Sequence, residues 1–288
     1  MFIVTGASGK LGRKIIENLL IHVPAANIGV SARDPSKVVD ISARGVRVRQ
    51  GDYNDAESLR HAWAGAKNLL MISSNAAATG GNPLKQHATA IRIAREVGVE
   101  RIFYTSQVSS AEASHFPPGR DHAATEKLLA ESGLAWTSIR HGFYAESALM
   151  LNARGFGAGT LEGPEDGKVA WVSHDDLAAA DAALLAGIEV IDGPTPPLTG
   201  SEALDLADLA ELAGDIMGKA ISRRIVSEDI MEAKARAAGV PEASIAVMVG
   251  YYRAAHAGEF EVVDPTLANI LKRDPETIRT FLTSKLLN

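Results

Sequence analysis

Apolar and polar positions along the chain fall into a repeating pattern. Phe2–Thr5 is an apolar run, and directly after it Leu11, Ile15, Ile16, Leu19, Leu20 and Val23 return at the spacing of one helical face until Pro24 closes the segment. The same succession of extended run and amphipathic helix then recurs. Strands are expected over 28–32, 46–49, 68–72, 101–105 and 135–140. Between them lie a helix opened by Pro35, one started by Asn54-x-x-Glu57 in the form of a capping box and ended at Gly65, one over 83–97 stopped by Gly98, and one over 120–132 stopped by Gly133. Alternation of this kind builds parallel βαβ units, so the expected class is α/β, with a doubly wound parallel-sheet Rossmann fold in about the first 140 residues.

The pattern changes after the sixth strand. Residues 155–168, GFGAGTLEGPEDGK, are glycine-rich and weakly periodic, and they read as a surface loop or lid. Ser173-His-Asp-Asp176 opens an alanine-rich helix over 177–187 that is expected to return to the sheet. Helices are expected over 203–217, 228–238, 242–257, 265–272 and 275–286, the last with Asp274 as N-cap and Pro275 at its first position. The division that follows is a first domain over 1–140, rejoined by 168–188. A smaller, mainly helical C-terminal substrate-binding domain is expected over 141–167 and 189–288.

Between the first strand and the first helix stands TGASGKLG, with glycines at 6, 9 and 12. Each has a separate task in such a turn: a tight bend, room for a pyrophosphate to reach the backbone, and close packing of helix on strand. The expected ligand is a dinucleotide, held by Thr5, Gly6, Ala7, Ser8, Gly9, Lys10, Leu11 and Gly12. A P-loop is set aside because Gly9-Lys10 is followed by Leu11, not Ser or Thr. At the end of strand two, where an NAD site carries Asp or Glu for the ribose 2′-hydroxyl, the chain has Ser31-Ala32-Arg33. Arginine forks onto a phosphate and stacks on adenine, and Lys37 lies one turn on, so NADP(H) is expected ahead of NAD(H). Asp34 is the competing partner for Arg33. Asp52, after strand three, reads either as an adenine contact or as a turn residue. Ser73 and Ser74 after strand four, and Ser106 after strand five, lie at carboxyl ends of strands and complete the expected cofactor contacts.

Composition narrows the rest. The chain has 288 residues, 46% of them hydrophobic, and a net charge of −6, with no Lys/Arg-rich run, which argues against nucleic acid as a partner. Cysteine is absent, so disulfides, thiolate nucleophiles and cysteine-based metal sites fall away together, and no metal site is expected. No apolar stretch reaches the length of a membrane span and no cleavable leader is visible at the N-terminus, giving a cytoplasmic, soluble protein as the expectation.

TGASGKLG, SARDPSK after strand two, GVRVRQGDYND with ESLRHAWAGAKNLLMISS, and HAATEKLLAESGLAWTSIRHGFYAE resemble, in order and spacing, the atypical short-chain dehydrogenase/reductases of the NmrA-like type. Within that group they are similar to bacterial NADPH-dependent quinone oxidoreductases and triphenylmethane dye reductases. The stretches WVSHDDLAAADAALL and AAGVPEASIAVMVGYYRAAHAGEF extend the resemblance over nearly the whole chain. It implies hydride transfer from NADPH to a quinone or a similar electron-poor conjugated acceptor. It also implies an alternative, a non-catalytic NADP(H)-sensing regulator. The partners expected are a small-molecule acceptor and, in a homodimer, a second copy of the chain.

The Tyr-x-x-x-Lys pair of the larger superfamily is missing, because Ala123 stands four residues before Lys127 and Val108 four after Tyr104. Three residues remain as catalytic candidates. Lys127 corresponds to a helix lysine used by the phenylpropanoid-reductase branch, with a solvated Glu126–Lys127 charge pair as its bland alternative. Tyr144 follows strand six, where a phenol faces the nicotinamide or an aromatic acceptor. Tyr104 lies near the end of strand five. His122, like Tyr251, Tyr252 and Phe260, reads more readily as packing.

Overall fold

In the computed structural model, which describes residues 1–287, β1 (Phe2–Thr5), α1 (Lys10–His22), β2 (Ile28–Ala32), α2 (Val39–Ala43), β3 (Arg47–Gln50), α3 (Ala56–Trp63), β4 (Asn68–Met71), α4 (Pro83–Glu96), β5 (Arg101–Gln107), α5 (Pro117–Glu131) and β6 (Ala135–His141) come first. Then follow β7 (Phe143–Tyr144), α6 (Ala145–Ala158), β8 (Thr160–Gly163), β9 (Trp171–Val172), α7 (His174–Leu185), β10 (Gly193–Pro194), α8 (Leu206–Met217) and β11 (Ser222–Ile225). Helices α9 (Glu228–Ala237), α10 (Glu242–His256), α11 (Thr266–Leu271) and α12 (Ile278–Leu286) close the chain.

Seven strands form one sheet in the order β10-β6-β5-β4-β1-β2-β3. β1 pairs in parallel with β2 on one side and β4 on the other, and the β2–β3, β4–β5 and β6–β10 pairings are parallel too. The doubly wound Rossmann arrangement stands, with β10 as a seventh strand too short to leave a sequence signal. The direction of strand addition reverses between β1 and β4, and the crevice at the carboxyl ends beside such a reversal is where ligands bind.

The chain divides into two compact units. One holds Met1–Ser106, Asp121–Arg140 and His174–Pro196, and the other Gln107–Arg120, His141–Ser173 and Pro197–Asn288. In the first, every residue of β2 is buried, as a strand covered on both faces requires. Its alanine-rich helix α7 packs along α1, where small side chains allow close approach, and Lys14 reaches Asp175 at 2.5 Å. In the second, Phe116 is buried in the same cluster as Trp171, Tyr251 and Phe260, which draws the 107–120 segment into that unit. Phe143 packs against Phe260 with ring centroids 5.0 Å apart, and Tyr251 stacks on Phe260 at 5.8 Å. These aromatics are core, in keeping with the packing reading.

Several expectations need correction. The capping position of α3 is Asp55, whose carboxylate accepts from Glu57 and Ser58 backbone N–H groups, because Asn54 spends its side-chain oxygen on the Gln86 amide at 3.1 Å. α12 begins at Ile278, three residues later than its proline suggested, capped by the Thr277 hydroxyl accepting from Thr280 N–H. The larger correction concerns 155–168, of which only 164–168 is loop. Its first part completes α6, Gly159 caps that helix in the left-handed conformation (φ 79°), and 160–163 is a strand paired with β11. The remainder is tied down: Asp166 accepts from Leu206 N–H at 2.8 Å and from Arg223 at 3.0 Å, and Lys168 pairs with Asp205 at 2.9 Å. At Gly155, Gly163 and Gly167 packing leaves no space for a Cβ, whereas Gly159 serves its positive φ and Gly157 has nothing within 4 Å. An added methyl at Gly167 would meet the Ala255 carbonyl oxygen at 2.1 Å, and one at Gly163 the Tyr252 hydroxyl at 2.3 Å.

A mobile lid would tolerate alanine, whereas a packed segment does not. Gly167→Ala is expected to lower the unfolding free energy by about 2 kcal/mol through overpacking. Urea denaturation checks this, and an unchanged midpoint contradicts the packing account.

Candidate functional site

The glycine turn divides its three glycines between fold and ligand. Gly6 has φ 64°, and its carbonyl accepts from Gly9 N–H at 2.9 Å. A Cβ on Gly12 would lie 2.4 Å from the Gly6 oxygen, so Gly12 sets how closely α1 approaches β1. Gly9 is different. A Cβ there would come 3.3 Å from the Gly6 carbonyl oxygen, a tight contact that asks the backbone to give by a few tenths of an ångström but not the overlap found at Gly12, and the position is exposed. Gly9 is also the N-cap of α1 and offers no side-chain cap, which leaves the first helical N–H groups facing an open approach. Ser8 and Lys10 are exposed beside it, while Ala7 and Leu11 are buried. This is a cradle for an anionic group, and a pyrophosphate fits it.

Thr5 ends β1 in a buried hydrogen-bond cluster. Its hydroxyl accepts from Ile72 N–H at 2.9 Å and lies 2.7 Å from the Tyr53 hydroxyl, which donates to the Ile72 carbonyl at 2.9 Å. Burial pushes the Tyr53 phenol well above its ordinary value, so it stays a donor. The end of β1 is thereby locked to the end of β4.

At the end of β2, Arg33 is exposed and forms no ion pair among the described residues. Asp34 does not compete for it. That carboxylate accepts from the Ser36 N–H at 3.1 Å and the Ser36 hydroxyl at 2.6 Å, and these hydrogen bonds hold it below the ordinary carboxylate range. Lys37 is exposed in the same turn, and its carbonyl takes a hydrogen bond from Arg13, which also pairs with Asp40. The corner is cationic and open, and it suits a 2′-phosphate. Asp52 takes the turn role, accepting from Asn54 N–H at 2.8 Å.

At the carboxyl ends of β4 and β5 the polar residues are bound to one another. Ser73 N–H donates to the Thr105 hydroxyl at 2.8 Å. Ser74 N–H donates to His87 Nε2 at 2.9 Å, and the Ser74 hydroxyl is engaged with Gln86. Ser106 is buried and gives its hydroxyl to Glu126 at 2.8 Å. Glu126 also accepts from the Ser138 hydroxyl at 2.8 Å and from both arms of Arg140, at 3.1 and 2.6 Å. Burial raises this carboxyl, but Arg140 and the two serines outweigh it and hold it below its ordinary value. The solvated Glu126–Lys127 pair is therefore corrected. Glu126 is 8% exposed and pairs with Arg140, while Lys127 alone faces solvent.

Tyr104 is fully buried, with its hydroxyl 2.7 Å from His122 Nδ1, and burial raises its phenol far above the ordinary range. Tyr144 is half-buried in the other unit, its hydroxyl 3.4 Å from His141 Nδ1. The pattern of the sequence did not single out His87, Arg140 or Gln107. In Gln107 the side-chain oxygen accepts from Ser109 N–H at 2.8 Å, and the amide nitrogen is buried with no partner. Such a donor costs about 1–3 kcal/mol and is characteristic of strained or ligand-binding positions.

A family model for NAD(P)H-binding proteins matches residues 6–187. The chain belongs to this family and to its NmrA-like branch. It is 36% identical over 245 residues to quinone oxidoreductase 2 of Escherichia coli, covering 84% of this chain and 83% of that protein. An NmrA-like family domain-containing oxidoreductase of Aspergillus flavus is 33% identical over 284 residues, covering 95% and 91%. Among solved structures, an E. coli NADPH-dependent quinone oxidoreductase complexed with NADPH superposes with a TM-score of 0.93 at 32% identity over 100% of both chains. A Citrobacter sp. triphenylmethane reductase complexed with NADP(H) gives 0.88 at 28% identity over 99% of each. NADP(H) is the cofactor this family likeness supports, and no helix among the described residues is long and apolar enough to cross a membrane.

The Glu126–Arg140 pair yields a stability prediction. Arg140→Met leaves a buried carboxylate without its cation and should cost about 3 kcal/mol near neutral pH. Glu126 has a folded-state pKa below its ordinary 4.5, so its contribution is full above that value and fades as pH falls through the lower folded value. The gap between wild type and variant is therefore expected to close on acidification. Urea melts at pH 7 and pH 4 check it, and a gap that widens toward acid contradicts the assignment.

Proposed function

We propose that the chain is an NADPH-dependent oxidoreductase whose acceptor is a quinone or a similarly electron-poor conjugated ring. The observation that carries this reading is the likeness to E. coli quinone oxidoreductase 2, which extends over most of both chains at 36% identity. The regulator reading is not favoured, because relatives at 36% and 33% identity bear names of oxidoreductases. The acceptor is the small-molecule partner, and the cytoplasm is the proposed compartment for a cysteine-free chain in which no helix among the described residues is long and apolar enough to cross a membrane.

The roles follow from position. The exposed backbone at Gly9 and the uncapped N–H groups of α1 receive the pyrophosphate, with Ser8 and Lys10 at its rim. Arg33 forks onto the 2′-phosphate and presents its planar face to adenine, with Lys37 adding positive charge. Ser73 and the backbone of the β4 loop line the cofactor toward its nicotinamide end. When bound, NADPH supplies the hydride. The protein's share is orientation and exclusion of water, since reduction of a quinone leaves a phenolate whose charge is already delocalised. Tyr104 is framework, because a fully buried phenol held by His122 has no open side for a substrate. Tyr144 is the phenol retained for the acceptor.

Two substitutions test these roles through oxidation of NADPH followed at 340 nm with a panel of benzoquinones, naphthoquinones and cationic dyes. Arg33→Ala is expected to raise the NADPH KM roughly tenfold or more while any NADH activity changes far less, in line with loss of a charge-assisted fork. Equal losses with both cofactors contradict the 2′-phosphate role. Lys127→Ala should keep the wild-type turnover, and a fall of about a hundredfold would return Lys127 to the chemistry as an acid or base.

A further inference from the structure

His87 lies on α4 and is 1% exposed. Its two ring nitrogens have different partners. Nε2 is 2.9 Å from the Ser74 backbone N–H, which has only a donor to offer, so Nε2 is the acceptor and carries no proton. Nδ1 is 2.9 Å from the Thr125 hydroxyl, and Thr125 gives its own hydrogen to the Asp121 carbonyl at 2.8 Å. Nδ1 must then be the protonated nitrogen. The network fixes one neutral tautomer of one ring between α4, α5 and the loop after β4. Burial, with His122 nearby, pulls the imidazole down to about 3, so the arrangement persists across the working pH range.

The loop on which Nε2 acts is the one beside the reversal of strand order. Ser73 N–H is held by Thr105 on β5 and Ser74 N–H by His87 on α4, so two consecutive amides are fixed by two different elements. Tyr104 meets the His87 ring edge-on at 5.3 Å between centroids and Tyr53 does so at 6.4 Å, adding ring contacts to the two hydrogen bonds that orient the imidazole.

We propose that His87 is a positioning residue for the cofactor: by accepting the Ser74 N–H it fixes the backbone of the loop after β4 in the shape that receives NADPH. This rests on the reading that the loop borders the cofactor. Two substitutions separate the two ring nitrogens. His87→Gln keeps an acceptor oxygen where Nε2 stands and gives up the bond to Thr125. His87→Asn keeps an N–H donor where Nδ1 stands and leaves Ser74 N–H unpaired. Each removes one buried hydrogen bond, so a merely structural role predicts that both behave alike.

The experiment uses the full chain and reads amide hydrogen exchange at Ser74 by NMR, NADPH affinity by titration calorimetry, and the urea midpoint. Expected are comparable losses of midpoint in the two variants, with Ser74 protected and the NADPH Kd within about twofold of wild type in His87→Gln. In His87→Asn, Ser74 protection should be lost and the Kd raised roughly tenfold. Equal Kd values in the two variants overturn the proposal. If His87→Asn does not fold, a folded His87→Gln that loses Ser74 protection or binds NADPH tenfold more weakly also overturns it. Arg33→Ala measured alongside separates the two readings. If it weakens NADPH while His87→Asn does not, positioning by His87 fails and the cofactor site stands. If neither changes the affinity, the location of the cofactor fails as well.

Discussion

The contact between the first helix and the first strand constrains everything that follows it. With a methyl on Gly12 placed 2.4 Å from the Gly6 oxygen, α1 sits as near to the turn as a backbone can come. That approach aims the uncapped start of α1 across the carboxyl end of β1, and it lets the small side chains of α7 pack along the same helix. An anion at Gly9 then meets backbone N–H groups whose direction is fixed by the core and not by a side chain. The binding of charge and the packing of the domain are set by one distance.

Around this point the carboxyl edge of the sheet is held by polar bonds between neighbouring elements. Thr5 and Tyr53 join β1 to β4, Thr105 joins β5 to the loop after β4, His87 joins that loop to α4, and Glu126 joins β5 to β6 through Ser106, Ser138 and Arg140. Few of these groups are free to contact a ligand with their side chains. On the proposed reading the edge would recognise mainly through its backbone and its shape, with charge recognition displaced outward to the exposed Arg33 and Lys37. A site of this design serves an acceptor that needs orientation more than it needs an acid.

Much of this was legible from periodicity. Strand and helix order, the glycine turn and the cationic end of β2 follow from local rules, because each is decided by residues close together in the chain. What escaped was decided over distance. Glu126 beside Lys127 looks like a solvated pair until β6 brings Arg140 to it, and the bond from the Ser106 hydroxyl to the same carboxylate is likewise invisible in the local sequence. Gly163 and Gly167 read as mobility because their reason lies in a tyrosine ring and a carbonyl of α10. Residue type alone does not separate a glycine that bends from one that makes room.

The same distinction orders the three glycines of the turn. Gly6 is required by its positive φ and Gly12 by a neighbouring backbone, so both would be needed in a fold that bound nothing. Gly9 is constrained less severely, since an added Cβ meets one backbone atom, at 3.3 Å, a tight contact but not an overlap. Packing constrains this position least of the three, and it stands exposed at the uncapped start of α1. On the proposed reading Gly9 is thus the part of the turn that serves the ligand, while Gly6 and Gly12 serve the fold.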